Sequence, residues 1–172
     1  ELIARTVRRM HVYSVVEPAS TPIEKIKEID PIGIIFTGGP NSVYLDDSPK
    51  CDNALFDLGI PVLGICYGMQ YIAHSFGGKV EAGKVREYGP TNVHIGTSAI
   101  FNGLDKDEIM LMSHTDYVSR VPDGFVTTAT TDDCPCVAIE NSARRIYGVQ
   151  FHPEVERSIH GEKVLENFVI NV

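Results

Sequence analysis

The chain has 172 residues, of which 43% are hydrophobic and 22% charged, a globular composition, and a chain this long buries roughly 70% of its unfolded surface without help from disulfides or metals. Fifteen Lys and Arg against 23 Asp and Glu leave a net charge of -8, which argues against nucleic acid as a partner, because phosphate binding needs a basic face. No apolar run reaches the roughly 18 residues of a membrane span, and Glu1-Leu2-Ile3-Ala4-Arg5 lacks the form of a signal peptide.

In chain order, residues 2–10 read as a helix and residues 12–16 as a strand. Thr21-Pro22-Ile23-Glu24 combines a capping box with Pro at the first helical position, opening a helix that ends near Asp30. Residues 32–37 form a continuous apolar run, as buried parallel strands do, and lead into the loop Gly38-Gly39-Pro40-Asn41-Ser42. Residues 52–58 are helical up to Gly59, residues 61–65 are a second buried strand, and residues 67–76 are a helix ended by Gly77-Gly78. From residue 79 to about residue 137 the helical period fades, and residues 93–95, 109–112 and 125–131 read as an antiparallel insertion or edge. Residues 138–151 read as a hairpin turning at Asn141-Ser142, and residues 161–170 as a closing helix. Helices alternating with short β-branched runs predict an α/β fold: an open, mostly parallel sheet with helices on both faces and no internal domain boundary.

The chemistry concentrates in Gly64-Ile65-Cys66-Tyr67-Gly68, where a strand runs straight into a helix. This is the nucleophile-elbow pattern with Cys in place of Ser. Glycines two residues either side permit the tight turn, and the helix N-terminus favours thiolate over thiol. A thiolate nucleophile needs a base and an orienting group. His152-Pro153-Glu154 supplies both at the end of a strand, since residues two apart in an extended chain face the same side. The backbone N–H groups of Gly38-Gly39-Pro40 suit an oxyanion. Cys134-Pro135-Cys136 has no second Cys/His pair at ligand spacing, so no metal is expected. The four cysteines, at 51, 66, 134 and 136, form no disulfide framework and point to the reduced cytoplasm.

Gly64-Ile65-Cys66-Tyr67-Gly68-Met69-Gln70 and Gly148-Val149-Gln150-Phe151-His152-Pro153-Glu154 resemble the two signature blocks of the class I, triad-type glutamine amidotransferases. Within that family, Thr37-Gly38-Gly39-Pro40-Asn41-Ser42-Val43-Tyr44 and Arg86-Glu87-Tyr88-Gly89 are similar to the glutaminase domains that serve GMP synthesis. The resemblance implies a flavodoxin-like sheet whose first strand precedes Leu2, so residues 1–172 would be a single, N-terminally incomplete domain. It implies Cys66 as nucleophile, His152 as general base and acid, Glu154 as its partner, and the N–H groups of Gly39 and Tyr67 as the oxyanion hole. Gly39, Pro40, Gln70 and the stretch Ser113-His114-Thr115-Asp116 would hold L-glutamine, although the family's usual glycine is replaced by Thr115. It further implies no cofactor in this domain, with ATP and Mg used by a partner ATP-pyrophosphatase synthetase domain or subunit that converts XMP to GMP. Residues 38–47 and 86–91 read as loops flanking the cleft, with Arg86, Glu87 and Tyr88 suited to contact that partner. Another cysteine hydrolase of the same architecture, or a glutamine-binding module without turnover, would share the elbow.

Overall fold

Residues 1–38, 42–45 and 50–172 are described by a computed structural model, the side chains of residues 84 and 85 excepted. Seven strands among the described residues form one sheet: β1 (Ile34–Phe36), β2 (Val62–Ile65), β3 (Lys79–Ile95), β4 (Asp107–Arg120), β5 (Val126–Thr130), β6 (Ala138–Asn141) and β7 (Ile146–Val149). Their order is β1-β2-β7-β6-β5-β3-β4. The expected mostly parallel sheet is corrected here. Only β1/β2 and β2/β7 pair in parallel, while β7/β6, β6/β5, β5/β3 and β3/β4 are antiparallel. The reason is connectivity: a parallel pair needs a long crossover, usually a helix. After α1 (Leu2–Arg9), α2 (Ile23–Ile29) and α3 (Tyr67–Ser75) the next α-helix is α4 (Gly161–Glu166), so β3 to β7 are joined without one.

The β3/β4 hairpin dominates the antiparallel part, and the sequence reading captured only fragments of it. Gly83, Gly89 and Pro90 look like turn residues yet lie inside β3, which accommodates its irregularity by register shifts at Lys79/Val80 and between Ala82 and Glu87. Residues 86–91, read above as a loop, are therefore strand, with Glu87 buried between exposed Arg86 and Tyr88. In β4 the period of two runs from Glu108 to Asp116: Glu108, Met110, Met112, His114 and Asp116 are buried, and beyond it Tyr117 and Val118 are buried together.

Other expectations shift locally. Residues 12–16 are not a strand. No strand lies alongside them among the described residues; the Arg8 guanidinium donates to the Ser14 carbonyl, and Tyr13 and Val16 are exposed. The helix near residue 23 spans Ile23–Ile29 with Pro22 at its cap, and the Thr21 hydroxyl donates to the Pro18 carbonyl instead of closing a capping box. The run at 32–37 yields only the three residues of β1, half-buried at the end of the sheet that the described residues form. Residues 53–57 form a 3-10 turn, and the closing helix is α4 followed by a π-helical turn, Asn167–Asn171.

Alternation in the central strands builds a core on each face. Leu63, Ile65, Tyr147 and Val149 pack with Phe151, Val164, Leu165 and Phe168, whereas Val62 and Ile146 pack with Met69, Ile72 and Ala73 of α3. Gly64 lets α3 lie close on the second face: a Cβ there would sit 2.5 Å from the Gly68 backbone. Gly68 is equally constrained, since its Cβ would meet the Phe36 carbonyl at 2.5 Å.

Candidate active site

Cys66 is the single residue between β2 and α3, at φ 55° and ψ -108°. A non-glycine residue in that region is strained and held there by its surroundings. The pins are visible: the Cys66 N–H donates to Val149 O (2.8 Å) on β7, and Cys66 O accepts from the Gln70 N–H (3.2 Å). Tyr67 opens α3, where the helix dipole and first-turn N–H groups favour negative charge. The Cys66 thiol lies 3.7 Å from the Ser113 carbonyl oxygen, and the Gln150 side-chain Nε2 donates to Cys66 Sγ at 3.6 Å.

His152 arrives from the segment after β7 and is tied to β4. Its N–H donates to Leu111 O (3.0 Å), and the Ser158 hydroxyl accepts from the Leu111 N–H (2.8 Å) while donating to His152 O (2.5 Å). The ring Nδ1 meets Glu154 Oε1 at 2.8 Å. The second Glu154 oxygen is buried with no hydrogen-bond partner among the described residues, so His152 is the group that answers its charge. The contact with Cys66, and then that with Glu154, pushes the His152 imidazolium up to about 10 against the cost of burial. A cavity of about 580 Å³ opens over these groups, with Thr37, Cys66, Tyr67, Ser113, Thr115 and His152 in its wall.

The structure thus brings Cys66, Tyr67, Gln70, Ser113, His114, Thr115, Asp116 and His152 to one cleft, with Glu154 behind His152. Gly39 and Pro40 lie outside the described residues. Two expected glutamine contacts face elsewhere through their side chains. Both N–H groups of Gln70 Nε2 are committed, to Asp116 O (3.0 Å) and to Gln150 Oε1 (3.1 Å). The His114 ring points into the core, as the β4 alternation dictates: Nδ1 donates to Asp116 O (2.8 Å), and Nε2 meets Glu87 Oε1 (2.9 Å) on the neighbouring strand. Glu87, expected at a partner surface, is instead a buried strut that also accepts from Thr131 Oγ1 (2.7 Å). Cys134 and Cys136 are buried thiols, each pushed up to about 11 by burial. Among the described residues no group of three or more His, Cys, Asp or Glu could hold a metal, and no helix is long and apolar enough to cross a membrane.

Sequence reasoning missed Gln150 and Ser158. A signal for Gln150 was present: it is a polar residue inside an apolar strand end, two before His152, and the same-side rule applied to Glu154 puts it beside the cleft as well. Ser158 offers no such signal, because its partner Leu111 is distant in sequence.

Comparison with known proteins agrees with this geometry. The chain is 55% identical to the glutamine-hydrolyzing GMP synthase of Clostridium botulinum (strain Hall) and 54% identical to that of Clostridium perfringens, in each case over all of this chain and 34% of the relative. The chain therefore spans about a third of the length of the curated relatives it matches. A Thermoplasma acidophilum protein assigned as one of the subunits of a GMP synthase superposes with a TM-score of 0.89 at 30% identity, over 98% of this chain and 85% of that one. A glutamine amidotransferase from Thermotoga maritima shares the fold, with a TM-score of 0.77 at 18% identity over 97% and 91% of the two chains. The sequence profile described as "Glutamine amidotransferase class-I" matches residues 1–172, and the chain belongs to that family.

Proposed function

We propose that residues 1–172 form a glutaminase domain that hydrolyses the side-chain amide of L-glutamine to glutamate and ammonia. The observation that carries the reading is the meeting of the Cys66 elbow with the His152–Glu154 pair in one cleft. In the proposed cycle, the Cys66 thiolate attacks the amide carbon, and the N–H groups of Tyr67 and Gly39 receive the developing oxyanion. His152, raised to about 10, is imidazolium at neutral pH and gives its proton to the departing ammonia, leaving a γ-glutamyl thioester. Acylation removes the hydrogen bond with the Cys66 sulfur, the largest cause of the raised value, so the ring falls from that value, with Glu154 still beside it. It can then take a proton from the attacking water, and the thiolate leaves with release of glutamate. The main chain of Ser113 to Asp116 lines the space for the glutamine α-amino and α-carboxyl ends, and Gln70 stands in the same wall with its Nε2 committed to Asp116 and Gln150.

The similarity to GMP synthases supports a destination for the ammonia: a synthetase domain or subunit that uses ATP and Mg to convert XMP to GMP, in the cytoplasm. Cys66→Ala tests both layers. Ammonia release from glutamine is expected to disappear, and in the assembled synthetase glutamine-dependent synthesis is expected to be lost while synthesis from free ammonia persists. Equal loss of both syntheses would overturn the division of labour; undiminished glutamine hydrolysis would overturn the nucleophile.

A further inference from the structure

Besides His152 and the Ser113 carbonyl oxygen, a side-chain amide reaches the sulfur. We propose that Gln150 is a further catalytic residue, whose side-chain amide donates a hydrogen bond to Cys66 Sγ and stabilises it as thiolate, both before attack and when the sulfur leaves the thioester. The proposal deepens the glutaminase reading and rests on it.

Gln150 is completely buried, between Val149 and Phe151, themselves fully buried. A buried primary amide is costly unless its groups are bonded, and an aliphatic residue would fill this position at less cost. The amide is bonded, in a way that fixes its orientation. Oε1 accepts from Gln70 Nε2 (3.1 Å), and that same Nε2 gives its other hydrogen to Asp116 O (3.0 Å). Asp116 O is itself held by the His114 ring, which the Glu87 carboxylate anchors from β3. Flipping Gln150 would set two NH2 groups against each other and turn an oxygen toward the sulfur. The relay therefore aims Nε2 at Sγ, at 3.6 Å.

The chemistry gives this donor a differential role. A thiol is a weak acceptor, and an ionised acceptor takes a much stronger hydrogen bond. The bond is strongest in the thiolate, weakens in the thioester, and strengthens again as water attacks the acyl carbon and the C–S electron pair returns to sulfur. A less basic sulfur leaves faster. The titratable groups around the sulfur are His152, backed by Glu154, on the segment after β7, and, beyond Gln70, Asp116 with the His114–Glu87 pair on β4 and β3. Gln150 is the neutral donor among them.

The test is the pH dependence of Cys66 alkylation by iodoacetamide, located by mass spectrometry, in the full chain and in Gln150→Met and Gln150→Glu. Met keeps the length and removes the donor; the alkylation midpoint is expected to rise by about one pH unit, and kcat for glutamine to fall roughly 10- to 100-fold with KM little changed. Glu adds a carboxylate facing the sulfur, and its midpoint is expected above that of Met. A folded Met variant that keeps either the wild-type midpoint or the wild-type kcat overturns the proposal. Thermal melting checks folding. If neither variant folds, wild type labelled with 15N-glutamine decides: alkylation of Cys66 must shift the Gln150 side-chain amide signals, and unmoved signals overturn the proposal. Alkylation needs no turnover, so a chain that releases no ammonia from glutamine still yields the midpoint, and the two failures are read apart.

Discussion

His152 concentrates three influences on one ring: the sulfur of Cys66, the carboxylate of Glu154, and burial opposing both. Its value of about 10 lies above the ordinary 6.5, so the folded protein holds a proton that the unfolded chain gives up. The stabilisation is fully present below about pH 6.5 and is lost as pH rises through about 10. Urea unfolding midpoints are therefore expected to fall between pH 7 and 10, and to fall less in His152→Ala. In Cys66→Ala the largest cause is gone, so an NMR titration of the His152 ring should show it deprotonating at lower pH than in wild type. An unchanged titration would mean that the sulfur does not set the ring's charge.

The other half of the pair gives a graded expectation. Glu154→Gln can still hold the ring through Nδ1 but no longer answers its positive charge, whereas His152→Ala removes the proton carrier. The Gln variant should retain roughly 10- to 100-fold more kcat/KM for glutamine than the Ala variant. If Glu154→Gln is as damaging as His152→Ala, the roles are misassigned. These residues were legible in the sequence because their spacing is local: Gly64, Cys66 and Gly68 lie within five positions, and His152 and Glu154 two apart. Gln70 and His114 were legible as members of the site but not in their orientation, which is decided by Asp116, Gln150 and Glu87 from other elements.

At the scale of elements, the elbow depends on how closely α3 approaches the strands beneath it. Gly64→Ala would put a methyl group 2.5 Å from the Gly68 backbone, which cannot move without moving α3 and Cys66. The expected cost is about 1–3 kcal/mol of stability together with a loss of glutaminase activity. Gly83, at φ 96° in β3 with nothing within 4 Å of its added Cβ, separates backbone strain from crowding. Gly83→Ala should cost about 1 kcal/mol through its positive φ and leave kcat near wild type. Chemical denaturation alongside ammonia release distinguishes the two; comparable activity loss in both would refute the steric account. The same residue types misled the reading of β3. Gly89 and Pro90, within the stretch 86–91 read as a loop, are turn punctuation in a sequence, but here they sit in a strand whose pairing with β4 includes them.

Across the whole molecule, the parallel strands carry the nucleophile and the antiparallel hairpin carries its surroundings: Cys66 leaves β2, while Ser113 to Asp116 belong to β4. The α/β class was readable from helix and strand periods alone. The balance of parallel and antiparallel pairing was not, because it depends on which strands meet, and the β5–β3 contact joins residues far apart in the chain. Ser158 is where the two parts are fastened, accepting from Leu111 of β4 and donating to His152. Ser158→Ala is expected to cost about 1–2 kcal/mol by leaving the Leu111 N–H unsatisfied, and to lower kcat more than it raises KM, as displacement of the proton carrier would. Thermal melts and steady-state rates check this; full activity in a destabilised variant would reduce Ser158 to a structural role.

The bridge between Leu111 and His152, reinforced by the Ile159 N–H donating to Ile109 O (3.0 Å), carries a consequence for dynamics. β4 ends the sheet's strand order, yet through this bridge it meets the segment that follows β7, so β7, β6, β5, β3 and β4 close into a ring whose seam is the histidine itself. The seam is the shortest pairing in that ring, and parting it releases His152 from the strand that holds it in place. Hydrogen exchange at the amides of Leu111, His152 and Ile159 should then rise and fall together, and the fraction of time the seam stays closed sets a ceiling on the fraction of molecules poised to react.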